Sequence, residues 1–206
     1  VNHNEISKLA LKWLKRPASQ KGHGCIVAAN ELRSGWDGEI PDAIGFRLSG
    51  NHVFSVVVEA KVSRSDFLAD KAKNHRIEGG MGNYRYFICP EGLIKPNELP
   101  KGWGLLWVNS RGHIKAIEGA AAYLGGSYLL ASEKLIEWKV ESDAQREMWL
   151  LIRLLSRVGD ANQMNEWIKE SKRLASKYIA ECEKLRTQNK ELSLKLFAAK
   201  QLPVAA

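Results

Sequence analysis

A chain of 206 residues, 45% hydrophobic and 26% charged, has the composition of an ordinary globular protein and is long enough for one full domain plus an appendage, too long to need disulfide staples. The odd and scattered cysteines, Cys25, Cys89 and Cys182, form no CxxC pair and read as free thiols in a reducing compartment, not as a disulfide framework or zinc site. No apolar run reaches membrane-spanning length, the first fifteen residues lack a signal-peptide pattern, and the formal charge of +8 allows a polyanionic partner, so a cytoplasmic protein is expected.

The first segment, NEISKLALKWLKR, spaces Ile6, Leu9, Ala10, Trp13 and Leu14 along one face of a helix that Pro17 stops. HGCIVAANEL reads equally as a strand or a buried helical turn, and the Gly-rich RSGWDGEIPD as a loop. In DAIGFRLSGNHVFSVVVEAKV, Gly50-Asn51 between two apolar runs predicts a two-residue hairpin. Ser49 then faces His52, and counting outward places Asp42 opposite Glu59, with Cβ atoms about 5 Å apart on one face of the pair. Lys61, two residues beyond Glu59, shares that face.

SRSDFLADKAKNHR predicts a helix capped by Ser63 with Phe67 and Leu68 facing inward. YRYFICP is a strand ended by Pro90, and a strand, helix and strand in this order suggest a parallel right-handed crossover. GLLWV and HIKAIEG form a second hairpin around Asn109 to Gly112. From Ser142 the chain turns helical: one amphipathic helix closed by Gly159, then a heptad-like pattern from Ile168 to Leu196 with Asn189 at a core position. The expected organisation is an α/β domain over residues 1–140 and a helical, coiled-coil-forming extension over 141–206, the latter a candidate for pairing two copies into a homodimer.

Two like charges facing each other across a hairpin destabilise it unless something compensates. A divalent cation between Asp42 and Glu59 is the obvious candidate, with the Ala60 carbonyl as a further ligand. A cation held in this way can neutralise negative charge on a bound group and activate water. Magnesium, or manganese in its place, prefers oxygen donors and keeps several waters, so one or two carboxylates suffice. Lys61 beside them would orient the water or offset charge in the transition state.

Pro41-Asp42 followed by Glu59-x-Lys61, with Glu31 upstream, resembles the PD-(D/E)xK nuclease superfamily. VVVEAKVSRSDFLADK with YRYFICPEGLI and ELPKGWGLLWV is similar to the MmcB-like family of DNA-repair endonucleases over roughly residues 9–117. The resemblance implies a restriction-endonuclease-like mixed sheet with flanking helices and a metal-dependent DNA nuclease, in repair or mobile-element biology, with Asp42, Glu59 and Lys61 as its catalytic residues. It also makes Glu31 a candidate catalytic acid. The helical tail lies outside the shared part, and an adaptor that binds DNA or a protein without turnover is the alternative.

Other candidates are weaker. Asp37 and Glu39 are reserve metal ligands, and Arg64, Lys71, Lys73 and Arg76 are candidate nucleic-acid contacts, Arg64 alternatively pairing with Asp66. His23 reads as a loop residue, since no second His or Cys stands at metal-ligand spacing. Trp36, Trp103 and Trp107 are candidates for stacking on bases, with core packing the better role for Trp107.

Overall fold

The computed structural model describes residues 2–30, 40–71 and 80–200. Helix α1, His3–Leu14, opens on a capping box. Asn2 Oδ1 accepts from the Glu5 N–H at 2.9 Å, and Glu5 Oε2 accepts from the Asn2 N–H at 2.9 Å. Its apolar stripe, Ile6, Ala10, Trp13 and Leu14, is buried as the spacing predicts. The ambiguous segment after it contains a short strand, β1 (Val27–Ala29), paired antiparallel to β2 (Ala43–Ser49).

Strands β2 and β3 (His52–Ala60) form the predicted hairpin, with Gly50 at φ 56°, the left-handed conformation its tight turn requires. The register runs from Ser49 opposite His52 to Ala43 opposite Val58. Helix α2 (Arg64–Lys71) then leads to β4 (Tyr84–Pro90), which pairs parallel to β3. Strand β5 (Trp103–Val108) is parallel to β4, and β6 (Ile114–Glu118) returns antiparallel across the Asn109 turn. The result is a mixed six-stranded sheet in the order β1-β2-β3-β4-β5-β6 with flanking helices, an α/β fold.

Alternation along β3 and β4 decides what each face carries. Val56, Val58, Ala60, Tyr84, Tyr86 and Ile88 pack with the α1 stripe on one face. Phe87 and Cys89 pack with Phe67 of α2 and with Trp103 and Leu105 on the other. Ser63 caps α2 as expected, its Oγ accepting from the Asp66 N–H at 3.2 Å. Leu68 does not face inward: it is 55% exposed, because Phe67 and Asp70, three residues apart, take the inner face.

A helix not anticipated from sequence, α3 (Tyr128–Glu137), sets Ala131 and Leu135 against the α1-side core while Tyr128, Leu129 and Ile136 stay exposed. Helix α4 (Ala144–Val158) is capped by Asp143, whose Oδ1 accepts from the Arg146 N–H at 3.0 Å, and is followed by Gly159 at φ 74°. Its Glu147 is buried, and its Oε1 accepts from Ser55 Oγ at 2.6 Å and from the Gly82 N–H at 2.8 Å. Helix α5 spans Ala161–Lys200. The compact units are Val1–Ile152 and Arg153–Ala206, so the division falls inside α4, after the turns that bury Glu147 and Leu150.

His23 sits in a loop but belongs to the core. Its ring lies 4.8 Å from that of Tyr84 and 5.7 Å from that of Trp13, and Nε2 is 2.7 Å from Tyr86 Oη. Tyr86 Oη also accepts from the Ala121 N–H at 3.0 Å. Burial pushes the phenol pKa well above its usual value, so the hydroxyl keeps its hydrogen and donates it to His23. Burial, helped by the charge of Arg47, lowers the His23 pKa to about 3. The unfolded chain therefore binds a proton at this histidine between pH about 6.5 and about 3 that the folded chain does not, and stability falls as pH falls through that window. Urea midpoints should drop by the equivalent of about 1.4 kcal/mol per pH unit from this group. His23→Gln, less stable at every pH, should lose that slope between pH 6.5 and 5. An unchanged slope would show that His23 is not kept neutral by the fold.

Candidate functional site

Strand β3 ends where β2 begins, so one edge of the sheet collects Asp42, Glu59, Ala60 and Lys61. One step beyond the last pair, Ala43 with Val58, the antiparallel register sets Asp42 opposite Glu59. Asp42 Oδ2 accepts from the Ala60 N–H at 2.7 Å, and its Oδ1 lies 3.3 Å from His3 Nε2 on α1. Asp42 is thus held from two sides, by the backbone of the opposing strand and by the first residue of the first helix. Glu59, at 3% exposure, is the more enclosed carboxylate.

Lys61 extends the ladder beyond β3, its N–H donating to the Ile88 carbonyl at 2.9 Å. Its side chain is 7% exposed and its ion pairs run to α2: Nζ lies 3.4 Å from Asp70 Oδ2 and 3.7 Å from Asp66 Oδ1. The two acids stand four residues apart, one above the other on the helix face that covers this side of the sheet. Proximity to Asp42 and Glu59 was the expected reason for a lysine here; the charge is instead balanced from the helix. The i, i+4 spacing of Asp66 and Asp70 in SRSDFLADK was the available signal. No local pattern announces the contact of His3 with Asp42.

Arg64 pairs with neither Asp66 nor a strand residue. Nη1 donates to Glu98 Oε2 at 2.7 Å and to the Leu93 carbonyl at 3.1 Å, and Nη2 donates to Glu98 Oε1 at 2.5 Å. This fork holds the Glu98 carboxyl well below its usual range, at about 2. Trp103 is buried and stacked on Phe87 with ring centroids 4.4 Å apart, which removes it from the candidates for base stacking. The Trp107 indole N–H donates to the Ile94 carbonyl at 3.0 Å, tying that ring to its own strand and loop. Glu31, Trp36, Asp37, Glu39, Lys73, Arg76 and the Lys71 side chain lie outside the described residues.

The donors at this edge are the carboxylates of Asp42 and Glu59 and the Ala60 carbonyl. Such hard oxygens suit magnesium or manganese and not zinc. Among the described residues no three His, Cys, Asp or Glu side chains converge as metal ligands, so a cation here would rest on this pair and complete its shell with water. Also among the described residues, no helix is long and apolar enough to cross a membrane.

No family model matches the chain, and no curated protein matches it. One solved structure, the SPO1766 protein of unknown function from Silicibacter pomeroyi, is similar over 78% of this chain and 97% of its own, at 18% identity and a TM-score of 0.42.

Proposed function

We propose that the first compact unit is a metal-dependent deoxyribonuclease whose working edge is Asp42, Glu59, Ala60 and Lys61. The observation that carries this reading is the register, which sets two carboxylates opposite each other at the end of a hairpin otherwise rich in apolar residues. Asp42 and Glu59 would hold magnesium or manganese, with the Ala60 carbonyl beside them. The bound ion would neutralise a phosphoryl oxygen and lower the pKa of a water. Asp42 is oriented by the Ala60 N–H and by His3. Lys61, ion-paired with Asp66 and Asp70, sits at the same strand end, where its field would favour the negative charge that develops on the phosphoryl oxygens. The net charge of +8 supports DNA as the polyanionic substrate and the free cysteines support a cytoplasmic setting. The resemblance to DNA-repair endonucleases supports a repair or mobile-element role. The extension would pair two copies through α5.

One observation favours a second reading, a nuclease-like module that binds DNA or protein without turnover: Glu59 is nearly closed to solvent and Lys61 is committed to its ion pairs. Cleavage separates the two. Labelled single-stranded, duplex, flapped and mismatched DNAs should be cut with Mg²⁺ or Mn²⁺, at least about a hundredfold more slowly by Glu59→Gln and by Lys61→Ala. Calorimetry should find a Mn²⁺ site that Asp42→Ala loses. Cutting that persists in Glu59→Gln, or DNA binding without cutting by the wild type, would overturn the nuclease reading.

A further inference from the structure

Helix α5 is forty residues long and carries a stripe that is exposed among the described residues. Ile168, Ala175, Cys182, Asn189 and Leu196 recur every seven residues at the first core position of a heptad, and Ser171, Tyr178, Leu185 and Leu192 at the second. Tyr178, Leu185, Leu192 and Leu196 are each at least half exposed. Pairs within the helix, Lys169 with Glu166 at 2.8 Å and Arg173 with Glu170 at 2.7 Å, contribute only a few tenths of a kcal/mol each. Helices of this length draw most of their stability from packing an apolar face, so the stripe needs an occupant.

We infer that the occupant is a second copy of α5, running parallel and in register as a two-stranded coiled coil. The residues flanking the seam choose this arrangement. In a parallel pair, the position before each heptad faces the fifth position of the next heptad on the partner helix. Glu181 then meets Arg186 of the second copy, Leu174 meets Ile179, and the face of Trp167 meets Lys172, each contact occurring twice. Equivalent core positions also meet, so Asn189 faces Asn189 and their side-chain amides bond to each other, a layer that holds register at a cost in stability.

The antiparallel arrangement overlapping the same seam is worse through its central layers. It sets Cys182 against Leu185, Asn189 against the Tyr178 ring, and Ile179 against the charge of Arg186, and it places no acid opposite a base at the flanks. This inference deepens the pairing proposed above and is independent of the nuclease chemistry, which none of its measurements reads.

The parallel register brings the two Cys182 side chains into one core layer, near the Cα separation of about 5.5–6 Å that a disulfide spans. Cys182 is exposed whereas Cys25 and Cys89 are buried, so mild oxidation reports on Cys182. The full chain should show the mass of a dimer by light scattering. With diamide, which takes up the two thiol hydrogens, it should form a reducible covalent dimer. Cys182→Ser should abolish the cross-link and keep the dimeric mass, and Leu185→Lys, at an exposed site, should raise the dissociation constant at least about tenfold. A monomeric mass at every concentration would overturn the pairing, and a trimeric or tetrameric mass would overturn the two-stranded arrangement. A dimer in which Cys182 resists diamide would overturn the parallel register.

Discussion

Gly104→Ala should destabilise the first unit by about 3 kcal/mol, at the upper end of what overpacking a core costs. Gly104 of β5 pairs with Tyr86 of β4, and the Tyr86 ring lies across it. A Cβ at Gly104 would stand 2.5 Å from Tyr86 Cδ1 and Cε1 and 2.7 Å from the Glu118 carbonyl oxygen. Neither obstacle gives way easily. The carbonyl is backbone of the paired strand, and the phenol is tethered at its far end by Ala121 and His23. Moving the ring would also break its edge contact with Trp13, 5.0 Å between centroids, at the centre of the α1 interface. Gly126→Ala is the control: the nearest atom to its added Cβ is the Tyr123 carbonyl oxygen at 3.5 Å, ordinary contact, so its effect should stay under about 0.5 kcal/mol. Urea denaturation of both variants decides it, and equal midpoints would mean that the Tyr86 ring is not held where the structure puts it.

Asp70→Asn should cost about 3 kcal/mol, because it leaves the ammonium of Lys61 enclosed without its buried counter-charge. The side chains of Lys61 and Asp70 are 7% and 2% exposed, whereas that of Asp66, the other partner of Lys61, is 44% exposed. Asp66→Asn should therefore cost less than about 1 kcal/mol, since water already screens that pair. Denaturant midpoints measured with an unchanged slope will read this difference as stability alone. If both substitutions cost the same, the buried pair is not what holds Lys61. The contrast also serves the nuclease test, since Asp66→Asn alters the field around Lys61 with little loss of fold and Asp70→Asn does not.

The sequence by itself determined the elements whose information is local. The three-and-four spacing of Ile6, Ala10, Trp13 and Leu14 needs no partner to specify a helix face, and Gly50-Asn51 needs only its own dihedral preferences to make a turn. Because strands have a period of two, that one turn fixed the whole register, and Asp42 opposite Glu59 could be counted from it before any tertiary contact was known.

Only the tertiary structure decided what surrounds those residues. His3 reaches Asp42 across thirty-nine positions of chain, and Arg64 meets Glu98 across thirty-four. Whether Lys61 serves the carboxylates of its own hairpin or the acids of α2 depends on which face the crossover helix covers, which periodicity does not report. His23 read as a loop residue because no second His or Cys stands at metal-ligand spacing; its burial comes from Trp13, Tyr84 and Tyr86, which converge only when α1 lies on the sheet. The division after Ile152 is of the same kind: it falls inside α4, where the helical pattern of the sequence gives no break. Local preferences act over a turn or two of chain, whereas burial and ion pairing are set by residues that meet only after the sheet has formed.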